Sequence, residues 1–115
     1  MERELVTHNK LVRDLIPEWI ISRGDEANYR IVEDPEEMGK LLRAKLLEET
    51  LEAIDAKEGE LLGELGDVLS AVIGLAKYHG ISYCALLTAQ QKKDREKGVF
   101  DNGIFLISAT KEGYG

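Results

Sequence analysis

The chain has 115 residues, 15 Lys and Arg against 22 Asp and Glu, a formal net charge of −7 and a pI near 4.9. That length matches one domain, 43% hydrophobic content is enough for a core, and no apolar run approaches the ~18 to 20 residues of a membrane span. The negative charge argues against broad affinity for nucleic-acid backbone, which is built on phosphate neutralisation by Lys and Arg. The N-terminus Met1-Glu-Arg-Glu-Leu5 lacks a signal-peptide layout and the single Cys84 has no internal partner, so a cytoplasmic protein with one domain over 1–115 is expected.

In chain order, Pro17 opens a short helix that stops before Gly24. Asp34 reads as the N-cap of a second helix, with Glu37 three residues on as its capping-box partner. Leu42, Leu46, Ala53 and Ile54 keep a helical period to about Ala56. Lys57-Glu58-Gly59 breaks it, and a third helix runs from about Glu60 to His79. That helix is apolar over more than one face, which places it centrally or against a partner chain. Ser82 caps a fourth helix to about Lys97. Tyr29–Val32 and Ile104–Ile107 read as short strands pairing into a ribbon. The expected fold is mainly α, a four- to five-helix bundle with a small two-stranded β accessory.

Two acidic pairs, Glu49/Glu52 and Glu64/Asp67, each have the i,i+3 spacing of one helix face. In an antiparallel hairpin, residues equidistant from the turn lie level. Glu49 with Asp67, and Glu52 with Glu64, both sum to 116, centred on residue 58 within the break. Four converging carboxylates repel unless a cation joins them, and oxygen-only ligands favour Mg²⁺ or Mn²⁺. Glu48 adjoins the cluster and is placed to hold a water. The competing reading is a solvated acidic face, since 22 acids produce i,i+3 pairs by chance. A di-iron centre fits poorly because neither pair is followed by a His at the right spacing. His8 and His79 read as surface or helix-end residues. Gly63, Gly66 and Gly74 inside the third helix each cost ~1 kcal/mol relative to Ala. Gly66, Ser70 and Gly74 form a stripe read as a close helix approach rather than ligand space. Basic residues gather near the ends, Lys10 and Arg13 and then Lys92, Lys93, Arg95 and Lys97.

These residues resemble a known family. Glu48-Glu49-x-x-Glu52 followed by Glu64-x-Gly66-Asp67 is similar to the signature of the MazG-like all-α nucleoside triphosphate pyrophosphohydrolases. Asn9-Lys-Leu-Val-Arg-Asp-x-Ile-Pro17, and Arg95-x-Lys-Gly-x-Phe100 with Ile104-Phe-Leu106, resemble the ends of its phosphoribosyl-ATP pyrophosphohydrolase-like subgroup. The resemblance spans residues 9 to 107. It implies Mg²⁺-dependent cleavage of a nucleoside triphosphate, non-standard or surplus, to monophosphate and pyrophosphate. It further implies metal ligands Glu49, Glu52, Glu64 and Asp67, and water activation by Glu48 or a ligand such as Glu49. Lys10, Arg13, Lys45, Lys92, Arg95 and Lys97 become candidate phosphate-binding cations, and a homodimer or homotetramer is implied, with no nucleic-acid or membrane partner.

Three features depart from the pattern. Only 11 residues separate Glu52 from Glu64, Gly74 stands where many relatives carry Asn, and Lys97 replaces a common Arg. Two alternatives stay open: hydrolysis of phosphoribosyl-ATP in histidine synthesis, and a non-catalytic helical oligomerisation module. Setting the five acids of the cluster aside leaves 15 cations against 17 anions, which removes the apparent bar to phosphate ligands.

Overall fold

A computed structural model describes residues 4–110. The chain is mainly helical: α1 (Ile16–Ser22), α2 (Pro35–Asp55), a 3-10 turn (Glu58–Glu60), α3 (Leu61–Tyr78) and α4 (Tyr83–Lys97). Two compact units divide at Ile81, residues 1–81 and 82–115. None of the described helices is long and apolar enough to cross a membrane.

In the first unit, α1 starts at Ile16 with Pro17 in its first turn, where the fixed φ suits the helix, and ends before Gly24 at φ +85°, a left-handed conformation that glycine adopts without penalty. The Asp34 carboxylate accepts from the Glu36 backbone N–H at 3.1 Å, capping α2 as expected. Glu37 does not complete a capping box. Its two carboxylate oxygens take a bidentate pair from Arg30 at 3.0 and 2.6 Å, a charge-assisted geometry that outcompetes a single backbone bond.

The break at residues 56–60 turns the chain so that α2 and α3 form an antiparallel hairpin. Gly74 supplies one close point: a Cβ there would meet Leu42 at 3.7 Å, and this pair also sums to 116. The Tyr78 hydroxyl donates to the Pro35 carbonyl and ties the open end of the hairpin. Among the described residues the buried ones are few and mostly small: Gly39, Leu42, Glu49, Ala71 and Ala76. In the second unit, Ser82 Oγ accepts from Ala85 N–H at 3.1 Å and starts α4 at its expected position.

Two expectations are corrected. The β ribbon does not form, and no strand occurs among the described residues. Tyr29–Val32 and Ile104–Ile107 are too short for a pair to hold itself by its own burial. The glycine stripe is met by a neighbouring helix at one end only, where Gly74 lies against Leu42 of α2. A Cβ on Gly66 would meet nothing within 4 Å, and only Gly74 lies in ordinary contact.

Gly66→Ala is therefore expected to raise stability by up to about 1 kcal/mol through the gain in helix propensity. Urea denaturation of the metal-free protein checks it; a loss of stability would reveal a close approach by another chain at that position.

Candidate metal centre

The hairpin register delivers the acidic residues to one place. Ligand-capable oxygens of Glu49, Glu64 and Asp67 lie within 4.8 Å of one another, and so do those of Glu48, Glu49 and Glu52. Glu49 belongs to both groups and is the buried one, only 7% exposed. Glu48, Glu64 and Asp67 are half-buried, whereas Glu52 is exposed.

Three cations meet this cluster. The Lys45 ammonium lies one turn before the acids, 2.7 Å from Glu48 Oε2 and 3.0 Å from Glu49 Oε1. Lys10 reaches Glu48 Oε2 at 3.5 Å, and Arg13 Nη2 donates to Asp67 Oδ1 at 2.7 Å. The segment preceding α1 is thus attached to both helices of the hairpin. Its path is helped by Asn9, whose φ of +48° lies in the left-handed region that Asn tolerates better than most residues.

These contacts set the ionisation. The hydrogen bond from Lys45 is the largest influence on Glu48 and, against the opposing effect of burial, holds its carboxyl below the usual range. For Lys45, burial opposes the charge most strongly, but its bonds to Glu48 and Glu49 together outweigh burial and raise its pKa. Glu52 moves the other way. The Glu49 carboxylate is near enough to share a proton with it and also repels it, so Glu52 is held above the usual carboxylate value.

The donor set passes a chemical test for a hard cation. Among the described residues neither Glu49 Oε2 nor Glu64 Oε2 has a hydrogen-bond partner, although both atoms are buried. A buried carboxylate oxygen left without a partner is costly, and a divalent cation bound through oxygen relieves that cost without a new protein donor. Glu49, Glu64 and Asp67 are the residues fit to hold it, whereas the exposed Glu52 groups with Glu48 and Glu49 along α2.

The other expected cations belong to the second unit. Lys92, Arg95 and Lys97 lie on α4, where Lys92 stands 3.9 Å from Glu96 and the other two occupy the last turn. His79 caps the C-terminus of α3, near Arg43 at 3.4 Å, and His8 is exposed. The tight engagement of Lys45 had a local signal in its i,i+3 and i,i+4 spacing to Glu48 and Glu49. The pairing of Arg13 with Asp67, 54 positions apart, had none.

Compared with known family models, curated proteins and solved structures, the chain finds no match.

The raised pKa of Glu52 has a testable sign. Ionised at neutral pH, Glu52 opposes folding, and the penalty disappears as pH falls through its raised folded value to below the ordinary 4.5. Metal-free Glu52→Gln is expected to melt above wild type at pH 7, with the gap closing below about pH 4.5. Thermal melts in chelator across this range measure it.

Proposed function

We propose that the chain is a divalent-metal-dependent pyrophosphohydrolase of the MazG-like all-α kind, cleaving a nucleoside triphosphate to the monophosphate and pyrophosphate. The observation that carries the reading is Glu49, buried between the helices, level with Asp67, with one carboxylate oxygen left without a partner. The family resemblance of residues 9 to 107 supplies the reaction class.

On this reading a bound Mg²⁺ would neutralise phosphate oxygens and supply an acidified water. Glu49, Glu64 and Asp67 would hold the ion, with Glu52 beside Glu49 on α2. Glu48, kept ionised by Lys45, has a carboxylate suited to accept a hydrogen bond from the attacking water and orient it. Arg13 and Lys10 stand at the rim of the cluster on exposed pairs that exchange readily, so both are available to polyphosphate oxygens. Arg13 also lines a concavity of about 410 Å³ with Asp14, Leu15, Ile16 and Trp19, a volume in the range of small-ligand sites. Its one link to the acidic cluster is Arg13, through the pair with Asp67.

We also infer self-association. Leu47, Leu51 and Ile54 on α2 and Leu62, Leu65 and Leu69 on α3 are all exposed. They pair at the same register sum of 116, so they stand level along the hairpin. An apolar face of this kind, beside so small a core, suits an isologous contact with a second copy that completes a four-helix bundle.

Incubation with a panel of nucleoside triphosphates, phosphoribosyl-ATP and Mg²⁺, with pyrophosphate detection, tests the activity. Glu49→Gln is expected to lose at least about a hundredfold in rate and the metal-induced rise in melting temperature. No turnover of any substrate, together with indifference to metal, leaves the oligomerisation module as the reading. Sedimentation tests the assembly: wild type is expected as a dimer or tetramer, and Leu51→Glu with Leu65→Glu as a monomer of much reduced stability.

A further inference from the structure

The acidic residues make two overlapping positions: Glu49, Glu64 and Asp67 between the helices, and Glu48, Glu49 and Glu52 along α2. What already fills them differs. The Lys45 ammonium lies in the α2 position on Glu48 and Glu49, with its side chain only 18% exposed. Lys10 adds a second cation to Glu48 there. In the interhelical position, Glu49 Oε2 and Glu64 Oε2 are left without partners among the described residues; Arg13 sits on one oxygen of Asp67, and Lys45 reaches this position only through the other oxygen of the shared Glu49.

We propose that the Lys45 ammonium is a built-in occupant of the α2 position, so that the chain takes a single divalent ion, at Glu49, Glu64 and Asp67. The inference rests on the metal-binding reading above and adds to it the number of ions and the residue that sets that number. Charge supports it: five carboxylates against Lys10, Arg13 and Lys45 leave two negative charges, which one divalent ion neutralises. A second divalent ion in the α2 position would face both the ammonium and the first ion at close range, where Coulomb repulsion is steepest.

Lys suits this place because a compact ammonium has three donors and bridges two carboxylates without a fixed plane. Arg13 differs in kind. Its pair with the half-buried Asp67 is the more exposed one, and such pairs are weak, so an incoming ion moves Arg13 off that oxygen but leaves its charge at the rim, while the part-buried Lys45 stays. Lys45 is thus a positioning residue, acting on the metal through the carboxylates it leaves free or occupies.

The test counts Mn²⁺ bound to the full chain without nucleotide, by calorimetry and by the loss of the free-ion electron paramagnetic signal. Wild type and Lys45→Arg are expected to bind about one ion per chain. Lys45→Gln is expected to bind about two, the first roughly 3- to 10-fold more tightly because a nearby positive charge is gone. Two ions on the wild type overturn the proposal, as does a Lys45→Gln protein that still takes one ion with unchanged affinity. Either result leaves the metal-binding reading standing, whereas no Mn²⁺ on any form overturns both. Should Lys45→Gln fail to fold, the wild-type count decides alone: one ion supports the proposal and two sink it.

Discussion

Five carboxylates held together by two helices with almost no core between them form the constraint on which the hairpin depends. Residues that would ordinarily offset such repulsion by hydrophobic burial are few: among the described residues Leu42 is the only large apolar side chain that is buried. Compensation comes instead from charge. Lys45 does this from within α2, while Lys10 and Arg13 do it from the segment before α1. The same ion pairs that relieve the cluster therefore also attach the N-terminal segment to the hairpin. Whatever changes the charge of the cluster changes how firmly that segment is held.

Features legible in the sequence were those that close over a few residues. Asp34 and Ser82 cap their helices because each needs only a backbone N–H two or three positions on. The gathering of Glu49, Glu52, Glu64 and Asp67 was also legible, since a short break between two helices fixes the register arithmetically. Where distant groups compete, the sequence misleads. Glu37 is correctly spaced for a capping box, but Arg30 offers two charged donors in a planar fork, and nothing local ranks one above the other. The β segments fail for a related reason, because propensity does not supply a partner strand.

The third helix shows how a correct observation can be incompletely assigned. Its apolar residues do cover more than one face, and the structure grades them by burial. Ala71 and Ala76 are buried, Val68, Val72, Ile73 and Leu75 are half-buried, and Leu62, Leu65 and Leu69 are exposed. Small residues at the helix contact let α2 and α3 approach closely enough for their carboxylates to share a site, while these three exposed leucines are left for another surface. The acidic and apolar faces belong to the same two helices at the same register. Under the proposed function, a contact that stiffens the apolar face would also fix the spacing of the carboxylates, coupling assembly to cation binding through the hairpin.

The charge balance changes meaning once the cations are located. Setting aside only the five acids made the rest of the chain look nearly neutral, 15 against 17. Lys10, Arg13 and Lys45 are spent on the cluster, however, so the remainder carries 12 cations against 17 anions, a net −5. At long range the protein repels a free triphosphate, and steering by the general surface field works against binding. Attraction must then be local, within about a Debye length of ~8 Å at physiological salt. Under the proposed function, the divalent ion and the two exposed cations at its rim have to supply it. A nucleotide already carrying Mg²⁺ meets less repulsion than a bare one, so the charge distribution favours the metal-bound nucleotide as the form that approaches the site.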